Sequence, residues 1–349
     1  MSNLMKVLAV TSENHMELTY SERPSLSKEY AIVKVAYCGV CGSDLPRYFQ
    51  GKVHQFPQVL AHEFSGKVFE IQENRDYKVG DKVVVAPLIP CDECKECKTG
   101  NPAMCTQYDF IGSRSQGAFA EYIKVPIKNL VKIPESMSLK HAALVEPLTV
   151  GIHGVDRANV KLGETTMIMG AGTIGLLTLL ALKEKGVGEI IVVDINDKKL
   201  EIAKKIGCTH TINPLNMKLE DFFEAHDLPS LVYETAGSSV TQVQSIDFCA
   251  KKGQVVYIGT CTKDVVFKPE VFEKILRNEL VITGSWMSYS SPFPGYEWPT
   301  AINMIHKQTE KFSILISSVH DLEDLDEPFK KMVEPNNDVV KVLYELDKD

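Results

Sequence analysis

The sequence predicts an α/β protein in two domains. A β-rich domain is assembled from both chain ends, and a doubly wound parallel-sheet domain is inserted between them. Three observations carry this prediction. The first third of the chain is made of short β-branched runs bounded by Gly, Asp and Pro, among them residues 31–36 (AIVKVA) and 82–86 (KVVVA). From residue 165 onward, apolar runs alternate with helical patterns, the mark of a parallel sheet covered by helices on both faces. The chain then closes on a lone strand pattern, VKVLYEL at 340–346. A length of 349 residues suits two domains.

The inserted domain opens with TTMIMG (165–170) and a helix over TIGLLTLLALKEKG (173–186). EIIVVD (189–194) leads into KKLEIAKKIG (198–207), and LVYETAG (231–237) leads into a helix reaching about Asp247. QVVYIG (254–259) and LVITGS (280–285) supply two more strands, followed by a Pro/Gly/aromatic loop at 286–298 and a helix over TAINMIHKQ (300–308). The expected boundaries are 1–150 with 291–349 for the β-rich domain, and 151–290 for the inserted one. A cysteine-rich lobe is expected at about 88–108.

Composition narrows the function classes. Lys+Arg total 38 against Asp+Glu 46, a net charge of −8, and no long basic block is present, so a nucleic-acid partner is not expected. Residues 165–182 carry no charge but hold Gly170, Gly172 and Gly175, and they have a soluble-domain explanation, so no membrane partner is expected. Residues 1–15 lack the apolar region of a signal peptide, and the expected location is the cytoplasm.

Gly170-Ala-Gly172-Thr-Ile-Gly175 follows a predicted strand and opens a predicted helix, the context that turns a G-x-G-x-x-G into a dinucleotide signal. Gly170 serves the tight turn, Gly172 the approach of the pyrophosphate, and Gly175 helix–strand packing, with the helix N-terminus facing the phosphates. Asp194 ends the next strand. Its carboxylate can accept hydrogen bonds from both ribose hydroxyls and repels a 2′-phosphate, so NAD is expected rather than NADP.

Cys91, Cys94, Cys97 and Cys105 bring four thiols within fifteen residues, a spacing that fits a closed tetrahedral zinc site with no place for substrate. An iron–sulfur cluster uses similar spacing, although Thr106 stands where a ferredoxin has Pro after its last cysteine. Cys38, Cys208, Cys249 and Cys261 read as small buried hydrophobes. Cys41, His62, Glu63 and Glu146 are dispersed, and no spacing rule marks them as a set.

The motifs CGVCGSD, AHEFSG, VGDKVVV, the four-cysteine lobe, EPLTVG and GAGTIG, in that order, resemble the zinc-dependent medium-chain dehydrogenase/reductase family. The resemblance implies a GroES-like catalytic domain beside a Rossmann domain. It implies a catalytic zinc on Cys41 and His62, with Glu63 or Glu146 as third protein ligand, since polyol dehydrogenases of the family carry both acids. Asp44 resembles the acid that orients the ligand His, and Ser43 resembles the hydroxyl that takes the substrate proton. Zinc would polarise an alcohol oxygen while its carbon gives a hydride to NAD. Thr173, Ile174, Lys199, Thr235 and Gly259 complete the implied cofactor contacts. Pro46 replaces the His that relays the proton in many relatives, which leaves water or Glu63 for that route.

CGSDLPR, YDFIGSRSQG and GSWMSYSSP resemble the polyol-phosphate dehydrogenases within this family. The implied reaction is oxidation of a polyol phosphate to a ketose phosphate, with Arg47, Tyr108, Arg114 and Trp286 at the substrate and the arginines on its phosphate. A sorbitol- or arabitol-type activity and a non-catalytic NAD sensor on the same fold are the alternatives. The family implies a homodimer or a homotetramer.

Overall fold

The uncharged run at 165–182 folds as strand Thr166–Met169 followed by helix Thr173–Lys185 in the computed structural model, which describes residues 3–347. Every residue of that strand is buried, which explains an apolar run without alternation. Among the described residues no helix is long and apolar enough to cross a membrane.

Six parallel strands form the sheet of this unit, in the spatial order His210–Ile212, Ile190–Val193, Thr166–Met169, Leu231–Glu234, Gln254–Tyr257, Val281–Gly284. The order reverses between Thr166–Met169 and Leu231–Glu234, and ligands of such sheets bind outside the carboxyl ends of the strands at that switch point. Met167, Met169, Val193, Val232, Ile246 and Val255 belong to the core on one side of the sheet. Asn196 caps helix Asp197–Ile206, its side chain accepting from the Lys198 and Lys199 N–H groups.

The other unit is built mainly on antiparallel pairing, with Ile316–His320 parallel to Lys341–Glu345. Its seven-stranded sheet runs Leu130–Lys132, Lys82–Val85, Glu63–Ile71, Tyr30–Gly39, Lys341–Glu345, Ile316–His320, with Tyr122–Pro126 paired to Tyr30–Gly39 as well. A smaller sheet joins His15–Glu22, Leu4–Ser12 and Gln58–Val59. An aromatic cluster packs beside the large sheet, with Phe119 centred 4.9 Å from Tyr344 and 6.1 Å from Phe329. Register places Gly39 opposite Glu63 on one side and opposite Leu343 on the other. One end of Tyr30–Gly39 thereby gathers three remote parts of the chain.

The chain divides into residues 1–146, 289–335 and 341–349 in one unit and residues 147–288 and 336–340 in the other. These bounds differ from the expected ones by a few residues at 147–150 and 289–290, and by the segment 336–340. That segment goes with the parallel-sheet unit because Asn196 Nδ2 donates to Asn337 O at 2.6 Å and the Thr173 hydroxyl donates to Val340 O.

Candidate functional site

Cys41 follows strand Tyr30–Gly39, and His62 immediately precedes strand Glu63–Ile71, so the pairing of those strands brings them together. One donor atom each from Cys41, His62 and Glu63 lies within 4.8 Å of the others. Asp44 is fully buried beside them. Its Oδ2 accepts from the Cys41 N–H at 3.1 Å and its Oδ1 from Arg47 Nη1 at 2.9 Å. His62 Nδ1 stands 3.8 Å from Asp44 Oδ1 and has no hydrogen-bond partner in its buried position. Ser43 Oγ accepts from Arg47 Nη1 at 3.0 Å, and Arg47 Nη2 reaches Ser113 Oγ at 3.1 Å.

Sequence reasoning missed Lys341. Its Nζ sits 2.5 Å from Glu63 Oε2 and donates to Val40 O at 3.0 Å, and both side chains of the pair are about as buried as any in the core. The available signal was the lysine inside VKVLYEL, because a lysine in a strand buried on both faces must find a partner.

The electrostatics of this cluster call for a cation. Burial pushes the Cys41 thiol up to about 11, with the Glu63 charge adding to the effect. Burial also raises the Glu146 carboxyl to about 8, opposed by His62 and reinforced by Glu63 and Cys41. Glu146 lies in helix Val145–Asp156, outside the 4.8 Å trio but within electrostatic reach of all three members. A thiol, an imidazole and a carboxylate are a donor set that zinc accepts. The orphaned His62 nitrogen and the raised Cys41 and Glu146 groups fit residues shaped around a positive ion.

The four-cysteine lobe is a second such group, all four sulfurs lying within 4.8 Å of one another. The Cys91 N–H points at Cys105 Sγ at 3.3 Å and the Cys94 N–H at Cys91 Sγ at 3.4 Å. N–H groups of Cys97 and Thr106 draw the Cys94 thiol down to about 6, while burial and hydrogen bonds to Cys94 and Cys105 hold Cys97 at about 12. Four crowded sulfurs with such unequal proton affinities fit a closed thiolate site. Of the remaining cysteines, Cys38 and Cys249 are buried as expected, but Cys208 and Cys261 are half-exposed. Cys208 follows the end of helix Asp197–Ile206 and Cys261 lies in a loop.

In the parallel-sheet unit the glycine motif separates into distinct roles. A Cβ on Gly175 would fall 1.9 Å from Gly170 O, so Gly175 is needed for packing. A Cβ on Gly172 would meet nothing within 4 Å, so no protein atom requires glycine there, and the open space suits an approaching pyrophosphate. Asp194 Oδ2 accepts from the Ala171 N–H at 2.6 Å and Oδ1 from the Asn196 N–H at 2.8 Å, which fixes its carboxylate against the glycine loop. Thr173 and Ile174 begin the helix, and the Lys199 N–H binds the Asn196 cap. Thr235 Oγ1 donates to Met169 O at 2.9 Å, and Gly259 follows strand Gln254–Tyr257.

Arg47 is already engaged with Ser43, Asp44 and Ser113, whereas Arg114 is exposed and stacks 4.1 Å above the Tyr108 ring. These residues share the antiparallel unit. Trp286 belongs to the parallel-sheet unit and is 52% exposed, while Trp298 is buried in the antiparallel unit, stacked on Tyr289.

Lys341→Met leaves Glu63 buried without its counter-charge. It should lower the stability of metal-stripped protein by about 3–5 kcal/mol, with Lys341→Met/Glu63→Gln recovering most of the loss. Urea unfolding of the four members of this cycle measures the coupling, and additive losses would show that the pair is not coupled.

Two family models match the chain: the alcohol dehydrogenase GroES-like domain over residues 27–135 and the zinc-binding dehydrogenase over residues 173–307. Galactitol 1-phosphate 5-dehydrogenase of Escherichia coli is 36% identical over 318 residues, covering 90% of this chain and 92% of that protein. The crystal structure of galactitol-1-phosphate dehydrogenase from Escherichia coli superposes with a TM-score of 0.92 at 35% identity, over 98% of this chain and 100% of that one. Sorbitol dehydrogenase of Bacillus subtilis is 30% identical over 354 residues, covering 97% of this chain and 96% of that protein. An Escherichia coli alcohol dehydrogenase complexed with NADH aligns with a TM-score of 0.90 at 27% identity, over 99% of this chain and 100% of that one. The chain therefore belongs to the zinc-dependent medium-chain dehydrogenases, NAD(P)-linked oxidoreductases of alcohols and polyols that join a GroES-like domain to a Rossmann domain.

Proposed function

We propose that the chain oxidises a polyol phosphate to a ketose phosphate with NAD, the substrate being galactitol 1-phosphate and the product tagatose 6-phosphate. The observation that carries this reading is the Cys41–His62–Glu63 cluster backed by buried Asp44. Similarity to galactitol 1-phosphate 5-dehydrogenase over nine-tenths of the chain supports the substrate. Cys41, His62 and either Glu63 or Glu146 would hold zinc, which would supply Lewis acidity toward the alcohol oxygen, with NAD as the hydride acceptor.

The protein's own part is positional. Asp44 holds the Cys41 main chain and faces His62, which restricts how both donors can turn. Ser43 is the hydroxyl that takes the substrate proton, and Arg47 fixes it through Nη1 while spanning to Asp44. Lys341 donates to both the Glu63 carboxylate and the Val40 carbonyl, which limits the directions from which Glu63 can reach the metal. With Pro46 in the relay position, the proton leaves through water or Glu63. The four cysteines of the lobe hold the second, structural zinc, and Asp194 selects NAD.

The substrate phosphate is assigned to Arg114, backed by Tyr108, with Arg47 adjoining through Ser113. Because Arg47 also orders Ser43 and Asp44, its substitution disturbs the metal set and reports less cleanly on phosphate. The internal engagement of Arg47, with the sorbitol dehydrogenase similarity, favours a non-phosphorylated polyol as the second reading. A homodimer is inferred from the outer strand Val281–Gly284. Val281 and Ile282 are exposed there, as are Phe272 and Leu276 on helix Pro269–Arg277, so a second copy would cover an apolar face and a free strand edge.

NADH formation across a panel of polyols and polyol phosphates tests the substrate. Galactitol 1-phosphate should far exceed galactitol, and Arg114→Ala should lower its kcat/KM by about tenfold to a hundredfold, mostly through KM. Equal use of the free polyol would replace the proposal with a general polyol dehydrogenase. Gly172→Ala should fold normally yet bind NADH about tenfold or more weakly, because its Cβ enters the phosphate space. Unchanged NADH affinity by fluorescence titration would move the cofactor elsewhere. Metal analysis separates the two zinc groups. Cys97→Ser should lose the lobe's zinc and thermal stability together, while Cys41→Ser should lose only the other zinc and with it turnover. Retained zinc in both variants would refute the assignment.

A further inference from the structure

Glu234 is a buried acid that the chemistry above does not use. It ends strand Leu231–Glu234, is 0% exposed, and leaves its Oε2 without a hydrogen-bond partner. Burying a carboxyl with an unpaired oxygen is costly, so its other contacts need to account for it.

Those contacts converge on two loops at the carboxyl edge of the sheet. Glu234 Oε1 accepts from the Ala236 N–H at 3.0 Å, the Gly237 N–H at 2.9 Å and the Thr241 hydroxyl at 2.7 Å. Its main-chain carbonyl accepts from the Ile258 and Gly259 N–H groups at 2.8 and 2.9 Å. One residue thereby fastens the loop after its own strand, the first turn of helix Ser239–Asp247 and the loop after strand Gln254–Tyr257. The loops are pressed backbone to backbone. A Cβ on Gly237 would fall 2.5 Å from Thr260 O, and a Cβ on Gly259 would fall 2.7 Å from Glu234 Oε2. Gln242 Nε2 adds a hydrogen bond to Gly259 O at 3.3 Å.

The sheet order places these loops. Asp194 and the glycine motif lie on the half formed by strands Thr166–Met169, Ile190–Val193 and His210–Ile212. Leu231–Glu234 opens the other half, and in a doubly wound sheet the two halves each take one mononucleotide. With the ribose acid Asp194 on the adenosine side, the Glu234 loops face the nicotinamide mononucleotide.

We infer that Glu234 is a positioning residue for the nicotinamide half of the cofactor site, its side chain fixing the 235–237 loop, against which the 258–260 loop packs, without touching the cofactor. The inference rests on the proposal that this unit binds NAD. The test compares NADH with AMP, which fills only the adenosine half, by titration calorimetry on the purified full chain. Glu234→Ala should weaken NADH by about tenfold to a hundredfold while AMP binding stays within about threefold of wild type. Glu234→Gln keeps the Oε1 acceptor and should recover most of the NADH affinity. Should Glu234→Ala fail to fold, Thr241→Val removes one donor and should weaken NADH a few-fold with AMP unchanged. Equal losses for NADH and AMP would mean general packing, and unchanged NADH affinity would mean no role; either overturns the inference. Wild type that binds neither nucleotide would overturn the cofactor reading first, and this inference with it.

Discussion

The ion pair between Lys341 and Glu63 is the interaction on which the Cys41–His62–Glu63 cluster depends. A thiol, two carboxyls and an imidazole are crowded into a dry corner of the antiparallel unit, and repulsion among the acids works against that crowding. Lys341 offsets part of it. Burial alone would drag its ammonium down, but Glu63, and after it Cys41, hold its proton affinity above the usual value. The ammonium also neutralises a carboxylate beside His62, so the site can be assembled before any metal arrives. The pair joins residues 278 positions apart, which makes the arrangement conditional on the last strand being in place.

Acids at strand and helix ends recur as the ordering device of both units. Asp44 gathers Cys41, Arg47 and the edge of His62. Asp194 fixes the glycine loop to the start of the next helix. Glu234 fastens two loops at once. In each case backbone N–H groups where regular structure stops are taken up by a carboxylate. These main-chain circuits act beside the long-range Lys341–Glu63 pair.

The legibility of these features in the sequence follows from their range. The alternation of apolar runs with helical patterns made the parallel sheet readable except for the short strand His210–Ile212, because each of the other strands stands as one apolar run. The cysteine lobe was readable because its four thiols fall within fifteen residues. Cys41, His62, Glu63 and Glu146 were not a recognisable set by spacing, since strand pairing joins the first three and a remote helix carries Glu146, and family resemblance was needed to name them. Lys341 escaped notice because its partner lies at the other end of the chain. Arg47 is placed at the phosphate by resemblance; its hydrogen bonds to Ser43 and Asp44 lie within one helical turn, and only that to Ser113 joins a remote part of the chain. The assignment of 336–340 depended on single hydrogen bonds from Asn196 and Thr173, equally invisible in composition.

Gly39 has a consequence for how freely this chain can drift in sequence. It occupies the last position of a buried strand, where alanine or serine would ordinarily pass unnoticed. A Cβ there would fall 2.3 Å from Glu63 Oε2, inside the space the carboxylate needs to face Lys341. The first atom of any side chain would turn Glu63 aside, and the displaced charge would still be buried. A residue with no functional group of its own is therefore constrained by the Glu63 carboxylate that faces it. Substitution tolerance around this centre follows the space that the Glu63 carboxylate occupies, not the distance from the reacting atoms.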